Sequence, residues 1–215
     1  MNHAEIMTSA GAVNLFSQDS AKIEMKAGKI DFTNGIGVQT AGGSNIILDG
    51  VSITGRGRYM RNTGRHSENS AFHMLQGRGS IILQRGRVNV TNAHGLSLQG
   101  NDNNTAYIEN STVMIRNRSF NGMRFLWEAA FDGGKKTVLS GRWVVHLSRT
   151  SFMIPESTAI YSRQFESSIK LSQGSTVLGD LLLKAEGNST VKITADASTL
   201  IGGTHVDENS TAALE

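Results

Sequence analysis

The sequence predicts an all-β fold, a parallel β-solenoid of about seven coils, and three observations lead there. Apolar and polar residues alternate over four to six positions and then break on Gly, Asn or Ser, a period-two pattern that helices do not produce. The composition is 38% hydrophobic and 18% charged with 24 Gly and one Pro, which fits neither a helical bundle nor a disordered chain. One form of segment also recurs along the chain at the intervals typical of solenoids.

The recurring form is a short apolar pair, a polar break and a second apolar pair. It appears at 44–53, 79–90, 105–115, 135–147, 167–178 and 189–202. With Ile46, Ile81, Ala106, Thr137, Ile169 and Val191 as the first inward residues, the mean step is 29 residues. A single coil cannot cover its own inward face, so stacking supplies the partner and places like residues above like. Asn110, Asn188 and the neighbouring serines are expected to form polar ladders at the turns. The competing architecture is an antiparallel sandwich, with Asn34-Gly35 and Asn121-Gly122 as hairpin turns. The shared grammar of the paired strands favours the solenoid.

With 215 residues the chain reads as one domain, residues 1–213, with a basic insertion at 55–70. Leu214-Glu215 reads as a cloning scar, and no signal-peptide shape opens the sequence, so it reads as a piece of something larger. The lack of Cys removes disulfides, thiolate zinc sites and Cys nucleophiles. No apolar run approaches the roughly 18 residues of a membrane helix.

Charge is concentrated in the middle. Residues 55–149 carry a net +9 between flanks of −2 and −4, and twelve of their fourteen bases are Arg. The guanidinium fork pairs bidentately with carboxylate, sulfate or phosphate, so an acidic partner is expected. Arg56, Arg58, Arg61 and Arg65 lie in the longest interruption of the repeat, spaced by Gly and Asn beside Tyr59 and His66. Long loops on rigid scaffolds concentrate binding residues. Arg85, Arg87, Arg116, Arg118 and Arg142 fall at comparable breaks, so parallel stacking is expected to gather them along one flank. The alternative is that they splay into solvent or pair with acids. The stretch 120–131 adds Arg124 and four of the thirteen aromatics, read as core with Met123, Phe125 and Trp127 on one face and Arg124, Leu126 and Glu128 on the other. Lys135 and Lys136 complete the candidate partner-binding set.

Catalysis has little support. No two acids of the basic segment sit close in sequence, and the six His are scattered without metal-ligand spacing. No cofactor, metal or catalytic residue is expected. The basic loop holds one aromatic and no nucleic-acid motif, which ranks nucleic acid below glycan or protein.

The coils, the missing Cys, the single Pro and the phrases VTNAHGLSLQGN (90–101) and YIENSTVMI (107–115) resemble autotransporter passenger domains. More narrowly they resemble the secreted angiogenic passengers of vascular-proliferative bacteria. The resemblance implies a right-handed parallel β-helix, secreted or displayed at the bacterial surface. It implies an agonist of a vascular endothelial growth factor receptor. The arginine chemistry makes heparan sulfate a further expected partner, and bringing two receptors together needs two binding faces or self-association, for which a homodimer is one route. No serine-protease module with a GDSGS-like nucleophile loop is present in the sequence, which counts against protease-type passengers. An adhesin for sulfated glycans or matrix is the first alternative, and a polysaccharide lyase or hydrolase the second.

Overall fold

The inward residue of one coil lies directly above the inward residue of the coil before it, and this repeats through the whole molecule. The computed structural model describes residues 2–8, 11–57, 69–75, 77–100, 103–126, 131–132, 135–136 and 142–215, with 131–132 and 135–136 as backbone only. It is an all-β, right-handed parallel β-helix of about eight turns, one more than the repeats predict.

Each full coil contributes a strand to three sheets. Sheet A stacks 22–26, 45–49, Ser80–Gln84, Thr105–Glu109, Arg142–Ser148, Glu166–Ser172, Thr190–Ala195 and Thr211–Leu214. Sheet B stacks 4–8, 28–33, 51–56, Arg87–Thr91, Thr112–Arg116, 151–154, 176–179 and 199–201. Sheet C stacks Val13–Ser17, Ile36–Thr40, Ser70–Met74, His94–Gln99, Met123–Leu126, 158–163, 181–186 and 203–206. All of these pairings are parallel, so the sandwich with its hairpins is excluded.

The core is a set of vertical columns. Ile23, Ile46, Ile81, Ala106, Val145, Ile169, Ile193 and Leu214 form one of them on sheet A. Four of the six expected first inward residues hold places in this column. Thr137 lies outside the described residues, and Val145 stands where it was expected. Ile193, two residues beyond Val191, is the residue above Ile169. Leu214, read as part of an appended scar, occupies the last place. Phe32, Gly55 and Val90 stack on sheet B, and Phe72, Leu96 and Met123 on sheet C. Burying such a side chain contributes about 1.5–3 kcal/mol, and the columns do so coil after coil. Lys135–Lys136, expected to open a coil, instead pairs antiparallel with Phe131–Asp132 outside the stack.

Corners turn on one or two residues in the left-handed region. Between sheets A and B, Ala27, Gly50, Arg85, Asn110, Arg149, Gln173 and Ala197 all have φ between 44° and 66°. One such residue turns the chain sharply without a loop, which keeps the coil short. Beside this corner buried hydroxyls bridge coils. The Gly86 N–H donates to Ser111 Oγ at 2.9 Å, and the Thr150 N–H donates to Ser175 Oγ at 3.2 Å. The expected polar ladder is therefore one of Ser and Thr hydroxyls. Asn110 serves through its backbone, and Asn188 sits at a different corner.

A candidate anion-binding face on sheet B

Outward residues of sheet B decide what this side of the molecule presents. Arg56, Thr91 and Arg116 end successive strands and lie in one column. They stand just before the second corner, where Asn34, Gly57 and Asn92 donate backbone N–H groups to the strand ends of the next coil. At about 4.8 Å per coil, Arg56 and Arg116 flank Thr91 about 10 Å apart. Arg87 lies on the same surface, in the column of Ser52 and Thr112. All three arginines are exposed. Among the described residues, none of the three has a carboxylate within ion-pair distance, and Arg116 donates to the Asn89 side-chain oxygen at 2.6 Å.

The remaining candidates go elsewhere, so a single ladder of arginines does not form. Arg85 sits at the corner between sheets A and B, where its Nε donates to Asp49 at 2.8 Å. Arg118 pairs with Glu156 at 3.1 Å. Arg142 is on sheet A directly below Glu166 and pairs with it at 3.0 Å. Arg149, a corner residue outside the candidate set, pairs with Glu109 at 3.2 Å. The reason is geometric. Breaks that look alike in sequence fall at different points around the triangular coil, and each strand reaches a different sheet. Arg58, Arg61 and Arg65 lie outside the described residues, as do the side chains of Lys135 and Lys136.

Arg124 is the clearest correction. Its strand belongs to sheet C, and the residue is 4% exposed, its guanidinium turned onto Ser97 Oγ with Nη2 donating at 2.7 Å. A cation so enclosed is not presented to a partner. Met123 and Phe125 face the core and Arg124 the opposite side, as expected, while Trp127 and Glu128 lie outside the described residues. His73 lies below Ser97 in the same outward column, 3% exposed. Burial, and then the Arg124 charge, push its imidazole down to about 4, against a smaller opposing influence of the Gln99 side chain. His73, Ser97 and Gln99 escaped the sequence reading because strands Ser70–Met74 and His94–Gln99 are buried at every position, outer face included. Polar residues stand at 73, 97 and 99 as alternation leaves them, so the sequence carries no signal that this outward face is covered.

Among the described residues, no group of three His, Asp or Glu is arranged to hold a metal ion. Among them also, no helix is long and apolar enough to cross a membrane. No family model matches the chain, and no curated protein or solved structure matches it either.

Proposed function

We propose that the chain is a non-catalytic binding module whose sheet B face engages an anionic partner. The observation that carries this is the set of Arg56, Arg87 and Arg116, exposed on one rigid surface with no carboxylate of the described residues at ion-pair distance. A β-scaffold spares the backbone its ordering cost on binding, and the guanidinium fork favours sulfate and carboxylate. The sequence that follows Arg56 is also basic, with Arg58, Arg61 and Arg65. Sulfated glycan of the heparan type is the partner class best matched to this chemistry.

The resemblance to angiogenic passengers supports a more specific form. In it the module is secreted or displayed at a bacterial surface and acts as an agonist of an endothelial growth-factor receptor, with glycan as co-ligand. The adhesin reading shares the same face and differs in lacking the signal.

The test is chromatography on immobilised heparin with Arg56→Ala, Arg87→Ala and Arg116→Ala combined, against a control combining Arg118→Ala and Arg142→Ala. The triple variant is expected to elute at clearly lower salt, and the control, whose arginines are already paired, nearly unchanged. Equal elution of the triple variant and the parent overturns the reading. Receptor phosphorylation after adding pure protein to endothelial cells separates agonist from adhesin.

A further inference from the structure

One outward column of sheet B changes character half-way along the molecule. From coil to coil it reads Asp31, Thr54, Asn89, Met114, Met153 and Leu178. Outward strand positions are ordinarily polar, because alternation gives the apolar ones to the core. Here three successive coils turn a thioether or aliphatic chain outward, each partly exposed. The interior at this level is already filled by Val113, Phe152 and Val177, the inward neighbours on the same strands. Thr112, Ser151 and Thr176 form the next outward column, so hydroxyls border the apolar stripe on one side. Arg116 borders it on the other and reaches back to its foot, where Nη1 donates to the Asn89 side-chain oxygen at 2.6 Å. Arg87 stands two residues before Asn89 on the same strand. The stripe runs about 10 Å from Met114 to Leu178, with two exposed guanidinium groups at one end.

We infer that this stripe docks an amphipathic α-helix of a protein partner, laid along the solenoid axis with its acidic end on Arg87 and Arg116. Spacing selects the helix. Residues three or four apart on a helix face lie about 4.5–6 Å apart along its axis, which matches the coil step of about 4.8 Å. An extended strand repeats its face about every 6.6 Å and loses register within three coils. Charge sets the polarity. The partial negative charge of a helix C-terminus favours that end at the two arginines, and an acidic side chain there strengthens the contact.

The side chains fit a protein better than the other anionic surfaces. Apolar patches rimmed by polar groups mark protein contacts, and arginine is enriched in them where lysine is depleted. Methionine is unbranched and polarizable, so Met114 and Met153 adapt to the groups they meet. A sulfated glycan gains nothing from them, since its hydroxyls and charges would lose water against Met and Leu without replacement. The inference shares Arg87 and Arg116 with the anion-binding reading, but the apolar column is its own observation and does not require heparin to bind.

The probe is a displayed library of random peptides of about 15 residues, the length at which isolated helices become marginally stable. It is selected on the intact chain, and the bound peptides are then measured against the parent and against Met114→Thr, Met153→Thr and Leu178→Thr combined. Threonine suits outward strand positions, and the far-ultraviolet spectrum and denaturation midpoint of the variant are checked against the parent. Selected peptides are expected to carry apolar residues at i, i+3 or i+4, and i+7, with Asp or Glu towards the C-terminal end. They are expected to bind the triple variant about tenfold or more weakly, while its elution from heparin stays at the parent value. Because the chain has no Cys, Met153→Cys takes a single solvent-sensitive fluorophore. Peptide binding is expected to shift its emission to the blue and to leave the same label at Tyr107→Cys, on the exposed outer side of sheet A, unchanged. That measurement decides the case even where the triple variant fails to fold. No enrichment of peptides overturns the inference, as does equal binding to the parent and a folded triple variant. Enrichment of acidic peptides without the apolar spacing overturns it too, since the arginines then act alone. Binding of anionic phospholipid vesicles that the triple variant loses, with no peptide selected, assigns the stripe to a bilayer and overturns it as well.

Discussion

Arg124 and Ser97 are neighbours in one outward column of sheet C, and the guanidinium donates from both Nε and Nη2 to the serine hydroxyl. A charged group this deeply enclosed is held by its hydrogen bonds, and truncating it leaves the partners buried without a donor. Arg124→Ala is expected to lower unfolding stability by about 2–3 kcal/mol, read from urea denaturation. Where the variant is folded, its elution from heparin stays at the parent value. A heparin shift as large as that of the sheet B variants returns Arg124 to the binding surface.

The His73 imidazole beside this pair makes stability depend on acid. In the unfolded chain a histidine titrates near 6.5, while in the fold burial and Arg124 hold it neutral down to about 4. Between these values the unfolded state binds the proton and the folded state does not, so stability falls as pH drops from 6.5 towards 4. Above 6.5 the contribution is fully present, and below about 4 its loss is complete, amounting to about 3 kcal/mol. His73→Gln is expected to flatten this limb of the stability profile. An unchanged slope between pH 4 and 6.5 assigns the acid sensitivity to other groups.

The corner column of left-handed residues predicts a gain from glycine. Ala197 is exposed with φ of 44°, where its Cβ crowds the backbone at a cost of roughly 1–2 kcal/mol that glycine avoids. Glycine gives back part of this through the freedom it has when unfolded. Ala197→Gly is therefore expected to raise stability by about 0.5–1 kcal/mol, measured by denaturant midpoint. A loss of stability refutes the strain argument at this corner.

The stacked coils were legible in the sequence because inward residues repeat in kind. Ile46, Ile81, Ala106 and Ile169 follow from alternation alone, and the structure sets them in one column. Alternation fixes which face a residue points to, but a slip of two residues keeps the face, so Val191 and Ile193 are indistinguishable by pattern. Lys135 and Lys136 misled for another reason: their alternation belongs to a local hairpin outside the stack. The arginines were the least legible. Arg85 and Arg87 are two positions apart, yet one turns a corner and salt-bridges while the other faces solvent on sheet B. Which sheet a residue joins depends on how many corners precede it, and corner residues as different as Ala27, Arg85 and Gln173 share no sequence mark. The enclosure of His73 rests on contacts across the outer face of sheet C, which no local pattern encodes.

Gly55 offers the sharpest test of column packing. It lies above Phe32, and a Cβ placed on it would stand 2.1 Å from the phenyl ring. Its φ is not in the left-handed region, so the glycine is required for space alone. Gly55→Ala is expected to cost about 1–3 kcal/mol through overpacking. Phe32→Leu alone opens a void and destabilises as well. Combined, the smaller leucine side chain leaves room for the new methyl group on the neighbouring coil, so the double variant is expected to lose less than the two single losses together. That positive coupling, about 1 kcal/mol in a double-mutant cycle, is the signature of two residues sharing one volume. Strict additivity shows that the ring can move aside, and that the two coils are not in register at this place.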